Sequence, residues 1–331
     1  MRLLILGGTE FVGRAFVDQA LAADWEVTTL NRGRTPAPEG VIALHGDRTQ
    51  VDGLAALNDG EWDVVVDTWS WAPVVVRRSA TVLRERVEHY VYVSSRSVYA
   101  DPIPAGADET ARLVVADPDD DHFDDYARAK AGSELAVVEE FGVRAVLLRA
   151  GLIIGPRENI GRLPWWLNRV AAGGPVLAPG SADAGIQYVD ARDLAAFGLS
   201  VAKRGHGGPF NVVSPVGQAT MGDLLEACVS VTGSGAELRW TDAETILAAG
   251  VRPWMDLPIW LPPGHGHEAM HQGDVSKAVA DGLRIRPLRE TVADTWDWLQ
   301  SIGGTAPHRA DRPRVGLDPA VEAELLGLPQ R

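Results

Sequence analysis

Short apolar runs and amphipathic stretches alternate along the first half of the chain. Leu3–Leu6 is an unbroken aliphatic run, and Glu26–Leu30, Val41–His45, Asp63–Asp67, Tyr90–Ser94 and Val143–Leu148 are further segments of strand length. Between them, Phe11 to Leu21, Val74–Arg86 and Asp124–Phe141 carry apolar residues at helical spacing. Val64-Val65-Val66 is apolar at every position, which suits a strand buried on both faces. Strands that alternate with helices predict an α/β fold: a doubly wound parallel sheet of the Rossmann kind, with a smaller mixed C-terminal substrate region.

The rhythm changes after about Gly151, where Gly155-Pro156, Gly173-Gly174-Pro175 and Pro179-Gly180 break the chain into shorter pieces. The expected organisation is a dinucleotide-binding domain over 1–151 with a return segment at about 186–213, and a mainly substrate-binding region over 152–302. A linker and short C-terminal helix would then fill 303–331. Thr220 is placed to cap a helix through Val231, Arg252–Gly266 reads as an irregular loop, and another helix is expected over Leu288–Leu299. Asp318-Pro319 opens a short helix with an acid at the cap and proline at the first position. The acidic run Asp117–Asp125 reads as a solvated loop, with Asp124 or Asp125 as the cap of the helix that follows.

Composition narrows the function classes. The chain has 331 residues, one cysteine (Cys228) and a formal net charge of −14. A single cysteine rules out an internal disulfide framework and fits a reducing, cytoplasmic setting. The apolar run at the N-terminus stops at Gly7-Gly8, too early for a signal peptide, and no stretch nears the ~20 apolar residues of a membrane span. The negative field opposes nucleic acid as a partner, and the one dense basic segment, Arg309 to Arg314, is itself interrupted by an acid. His265, His267 and His271 lack the acid or cysteine that would complete a metal set, so no metal is expected.

Four features carry chemistry. Gly7-Gly8-Thr9-Glu10-Phe11-Val12-Gly13 follows a predicted strand and opens a helix, the context in which backbone N–H groups cradle a diphosphate. Gly7 permits the tight turn and Gly13 a close helix–sheet approach, while Glu10 stands where the middle glycine is usual. A carboxylate there must point away or meet a base such as Arg14. After the second strand, Asn31 takes the place of the acid that binds ribose hydroxyls in NAD-selective folds, and Arg32 and Arg34 suit a 2′-phosphate, so NADP is expected over NAD. Tyr126 and Lys130 stand four apart on a helix and so share a face. A phenol ordinarily titrates near ~10, and a neighbouring ammonium favours its anion, fitting it to exchange a proton with a carbonyl or alcohol oxygen. Ser95, just past the fifth strand, can donate a hydrogen bond to that oxygen.

Taken together, this ordered set resembles the extended short-chain dehydrogenase/reductases, also called NAD-dependent epimerase/dehydratases. The resemblance runs from Arg2 to about Leu299 and includes Gly46-Asp47-Arg48, Arg149-Ala150-Gly151-Leu152-Ile153-Ile154-Gly155-Pro156, Gln187-Tyr188-Val189-Asp190-Ala191-Arg192-Asp193-Leu194 and Asp274-Val275-Ser276-Lys277-Ala278. It implies that Ser95, Tyr126 and Lys130 are catalytic and that Lys130 also anchors the cofactor ribose. It implies further that Asp47 and Arg48 contact adenine, that Thr68 and Trp69 pass the ribose, and that the stretch containing Leu152 lies along the nicotinamide. Dimerisation through helices flanking the sheet is common in that family. Arg96 and Ser97 replace the Asp-Glu pair of its sugar-nucleotide dehydratases, and the asparagine usual after the sixth strand of its epimerases is not obvious. The expected function is NADP(H)-dependent oxidation or reduction of a small, fairly apolar metabolite, with Trp69 and Trp165 as candidate pocket walls. The alternatives are a nucleotide-sugar epimerase and a non-catalytic dinucleotide-binding regulator or RNA-binding relative; chloroplast stem-loop-binding proteins share a similar Gly-Gly-Thr opening.

Overall fold

A computed structural model describes residues 1–122 and 124–328; residue 123 of the acidic segment and residues 329–331 of the C-terminal segment lie outside the described residues. Seven strands form one sheet: β1 (Arg2–Leu6), β2 (Glu26–Asn31), β3 (Val41–His45), β4 (Trp62–Asp67), β5 (Val87–Ser95), β6 (Ala145–Ala150) and β7 (Gly208–Val212). The spatial order is β7-β6-β5-β4-β1-β2-β3, and every neighbouring pair is parallel. The order reverses at β1, so the crevice between the carboxyl ends of β1 and β4 is the topological switch point, where ligands bind in such sheets.

Side-chain alternation builds a core on each face. Leu3 and Ile5 of β1 join Val64, Val66, Val91 and Val93 beneath α1 (Phe11–Ala22), while Leu4 and Leu6 join Val65, Tyr90 and Tyr92 on the opposite face. That second face is covered by α2 (Pro73–Leu83) and α3 (Tyr126–Phe141). The return segment supplies α5 (Ala191–Lys203) against α1, and β7 beside β6.

A separate core lies beyond β6. It gathers α4 (Arg162–Ala171), α6 (Met221–Thr232), α7 (Leu288–Ser301) and the parallel strands Pro175–Pro179 and Glu237–Thr241 around Trp166, Leu167, Leu224 and Val292. Thr220 begins α6 with a reciprocal capping box: its side chain accepts from the Asp223 N–H and Asp223 accepts in return from the Thr220 N–H. Residues 303–316 have no regular structure, yet they are tied down. Arg309 N–H donates to Asn159 O at 3.1 Å and Gly316 N–H to Met255 O at 2.8 Å. Gly316 has φ +127° and lies flat against the Trp165 indole, so a side chain there would collide. α8 (Pro319–Leu325), capped by Asp318, fastens this strap through Glu322, which accepts from Arg169 Nε at 2.6 Å and from Leu177 N at 3.0 Å. No helix among the described residues is long and apolar enough to cross a membrane.

Candidate active site

The glycine turn leaves the carboxyl end of β1. Gly7 and Gly8 have φ of +122° and +94°, conformations that side chains rarely adopt. A Cβ on Gly13 would lie 2.8 Å from Gly8 N, so only glycine lets α1 start this close to the turn. A Cβ on Gly7 would stand 3.2 Å from Thr68 Oγ1, which places Thr68, just past β4, beside the turn across the switch point. Thr9 is half-buried; Phe11 turns its ring into the first core, with Val12 packed partly against it. The cradle therefore consists of backbone N–H groups at a helix start, which fits a dinucleotide diphosphate. Asn31, at the end of β2, accepts from Gly33 N at 2.8 Å, and its enclosed Nδ2 has no partner among the described residues.

Glu10 does not pair with Arg14, which instead bonds Asp18 at 2.7 Å. The Glu10 carboxylate accepts from Asn159 Nδ2 at 2.9 Å, so it faces the second region across the cleft. Arg32 and Arg34 are exposed beyond β2. Both lie near Asp47, whose carboxyl is held below its ordinary range by hydrogen bonds from Thr49 first and by these two cations after that.

Two residues expected to touch cofactor turn inward. Arg48 is only 7% exposed; it bonds both Asp67 oxygens at 2.7 and 2.6 Å and Ser79 Oγ at 3.1 and 2.8 Å. Its guanidinium also lies 5.2 Å from the Trp69 ring centre, so it braces the end of β4 and Asp47 is left as the outward member of that turn. Leu152, 1% exposed, packs its side chain into the second core, and its carbonyl accepts from Val189 N–H at 2.8 Å.

Of the three expected catalytic residues, Ser95 and Lys130 lie at the ends of β4 and β5, and Tyr126 opens the helix that carries Lys130. Ser95 finishes β5 and caps the short 3-10 turn Arg96–Val98; its Oγ accepts from Ser97 N at 3.1 Å. Tyr126 opens α3, whose cap Asp125 accepts from Ala127 N and Arg128 N. Lys130 lies one turn on, 2% exposed, and its Nζ donates to Trp69 O at 2.6 Å and Val93 O at 2.7 Å while standing 4.7 Å from the Tyr92 ring centre. The ammonium thus ties α3 to the ends of two strands. Burial holds its pKa down to about 7; Asp67 opposes that shift, and Arg312 and Arg309 add to it. Tyr126 is 37% exposed, and the guanidinium of Arg312 covers its ring at 5.1 Å.

Several neighbours of these residues leave no mark in the sequence patterns. Arg96 is 2% exposed and lies flat on the Gly273 backbone; Nη1 donates to Gln187 Oε1 at 3.2 Å and Met270 O at 3.0 Å, while Nε and Nη2 have no partner among the described residues. Gln187 is fixed by Ser214 O, Gly273 O and Gly273 N, and its own N–H donates to His271 Nδ1 at 3.0 Å. His271, buried, is pushed down to about 4 by desolvation, so it is neutral at pH 7, with Nε2 against Ile259 O at 3.1 Å. Arg309 covers Trp71 at 5.0 Å. Glu158, fully buried, accepts from Arg162 N at 2.6 Å and Leu163 N at 3.2 Å at the start of α4; burial raises its pKa to about 7. An enclosed N–H left unpaired costs roughly 1–3 kcal/mol, and Arg96, Arg162 and Arg312 each hold at least one. The signal that could have found them is a cluster of arginines in a chain of net charge −14.

A putative epimerase from Burkholderia cenocepacia J2315 superposes with a TM-score of 0.69 at 20% identity, over 91% of this chain and 98% of that one. A UDP-glucose 4-epimerase of Thermus thermophilus, solved in complex with NAD, gives 0.62 at 23% identity, over 91% and 99%. At these identities the likeness is one of fold. The chloroplast stem-loop binding protein of 41 kDa b from Arabidopsis thaliana is 26% identical over 253 residues, 70% of this chain and 63% of that protein, so the chain spans less than two thirds of this relative. The model of the NAD dependent epimerase/dehydratase family matches residues 3–213, from β1 to just past β7 and through the glycine turn, Ser95, Tyr126 and Lys130. The chain belongs to the NAD dependent epimerase/dehydratase family, enzymes of the extended short-chain dehydrogenase/reductase type.

Proposed function

We propose that this enzyme moves hydride at a secondary alcohol or ketone carbon of a nucleotide sugar, oxidising and re-reducing the same centre as an epimerase. The observation that carries the reading is Lys130, buried one helical turn from Tyr126 and bonded to the ends of β4 and β5 beside the glycine turn. When bound, an oxidised nicotinamide cofactor would supply the acceptor for the hydride and the donor that returns it. The backbone N–H groups of residues 8–13 would hold its diphosphate, with Thr68, Trp69 and Asn31 near its riboses. Tyr126 takes the proton from the substrate hydroxyl and returns it to the carbonyl oxygen. Ser95 donates to that oxygen as charge grows on it, and Lys130 brings a positive field to the phenol from below. Arg96, adjacent to Ser95 and bonded to Gln187 and Met270 O, holds the Ser95 turn in position from behind.

Arg32 and Arg34 support NADP(H) as the form taken, since an acid is absent at Asn31 and both guanidinium groups are exposed. Titration of NADPH and NADH, with Arg32→Ala alongside, checks this: equal affinity for both and no effect of the substitution would remove it. A net reductase acting on a small apolar carbonyl compound is the second reading, favoured by the aromatic wall of Trp69 and Trp71, whose rings meet edge to face at 4.8 Å. Stem-loop RNA has less support, because the net charge of −14 opposes it.

The deciding experiment incubates the protein with NADPH, NADP or NAD and a panel of UDP-sugars, ketones and aldehydes. Epimerisation leaves cofactor absorbance unchanged while the sugar inverts; net reduction consumes NADPH. Tyr126→Phe should lower kcat by about 10²–10⁴ with cofactor affinity held within about threefold. A Tyr126→Phe enzyme as active as the parent would defeat both readings.

A further inference from the structure

Residues 303–316 follow the last helix of the second core and lie beyond the stretch that matches the family. They run past Trp71 and Tyr126, whose rings Arg309 and Arg312 cover. Arg309 N–H is bonded to the carbonyl of Asn159, the residue whose side chain holds Glu10 at the glycine turn. Three residues on, Arg312 covers the ring of Tyr126. The strap thus reaches from the cofactor side of the cleft to the proposed acid/base.

Its charges do not cancel. Asp311 pairs with Arg309 at 2.8 Å and stands 3.7 Å from Arg312. Arg162 and Lys130 add two more cations behind them, close enough that Arg312 disfavours the charged form of each. Arg162 is opposed by Glu158, itself reluctant to ionise. Nε of Arg162 and Nε of Arg312 are both enclosed and without a hydrogen-bond acceptor among the described residues. Arg309 and Arg312, gathered beside Trp71 and Tyr126 with Arg162 behind them, make a cationic patch in an acidic protein, and such a patch suits a polyanion.

We propose that the strap is a diphosphate clamp: Arg309 and Arg312, backed by Arg162, close over the diphosphate of a nucleotide bound in the cleft. The proposal rests on reading the cleft as a nucleotide site. The diphosphate belongs either to the cofactor or to a nucleotide-linked substrate, and both present the same pair of bidentate phosphate edges to guanidinium groups.

Calorimetric titration separates the sources. NADPH is titrated into the parent and into the Arg309→Ala/Arg312→Ala double variant; UDP is then titrated into each protein saturated with NADPH. A clamp on the cofactor weakens NADPH binding by about tenfold or more, and a clamp on the substrate weakens UDP binding by that factor. Affinities within about twofold of the parent in both arms overturn the clamp while leaving the nucleotide site intact. A parent that binds neither probe overturns the cleft reading and the clamp with it. Asp311→Asn, an exposed change that leaves the anchors in place, should tighten the affected arm severalfold; weakening there also counts against the proposal. An Arg309→Lys/Arg312→Lys variant keeps the charge but loses the bidentate fork, and its affinity should fall between the parent and the double alanine.

Discussion

The surroundings of Arg48 and of Arg96 are two buried regions near the carboxyl edge of one sheet, and they treat the same side chain in opposite ways. Arg48 meets a carboxylate and a hydroxyl through four hydrogen bonds. Burial alone would disfavour its charge, but Asp67 overrides that and keeps the guanidinium more firmly protonated than usual. Arg96 is at least as deeply buried, has no carboxylate bonded to it, and is pushed the other way by desolvation. Two of its nitrogens are unused. A satisfied arginine of the first kind is a strut that fixes the end of β4. One of the second kind is enclosed but underpartnered, held among the described residues only by Gln187 and the Met270 carbonyl.

The contrast breaks most visibly on stability. Asp67→Ala strands the Arg48 cation and should cost about 3–5 kcal/mol in urea unfolding. Arg96→Met removes an underpartnered charge and should change stability by about 1 kcal/mol at most, so comparable losses in the two variants would erase the distinction. Next in size is the acid limb. The folded pKa of His271, about 4, lies below its ordinary 6.5, so the unfolded chain binds the extra proton between those values. Stability should therefore fall by on the order of 2–3 kcal/mol from this residue as pH drops from 6.5 to 4, and a flat unfolding curve over that window would refute it.

On activity, Arg96→Met loosens the Ser95 turn and should lower kcat for the turned-over substrate by about tenfold or more, with cofactor affinity unchanged. A further effect is a change of slope on the alkaline side. Lys130 is near 7 when folded and 10.5 when free, so stability should rise with pH across that interval, by about 1.4 kcal/mol per unit at most. Arg309→Ala/Arg312→Ala removes two cations that depress Lys130, while Asp67 and Glu134 remain. Its pKa should then move up and the interval of rising stability shorten, as read by unfolding at a series of pH values.

The strands and helices of the first domain were legible because each buried face leaves a periodic trace. Leu3–Leu6 and Phe11 onward match the observed elements to within a residue at each end. The glycine turn was equally legible, since positive φ and close backbone approach restrict the residue type. Side-chain direction was not. Arg48 turns inward because Asp67, nineteen positions later, waits for it, and sequence spacing carries no trace of that pairing. The strap was illegible for a different reason: it has neither helical nor strand periodicity, and its contacts run to Asn159, Trp165 and Met255, each brought near only by the finished fold.

That dependence has a consequence for the order of assembly. The strap and α8 are held by the carbonyls of Asn159 and Met255, the amide of Leu177 and the guanidinium of Arg169, which come from separate segments of the second region. None of these is in position until that region has condensed. Long-range contacts of this kind form late. The C-terminal segment should therefore dock last, on a surface already complete, and a nascent chain would leave the rings of Trp71 and Tyr126 uncovered until that segment had settled.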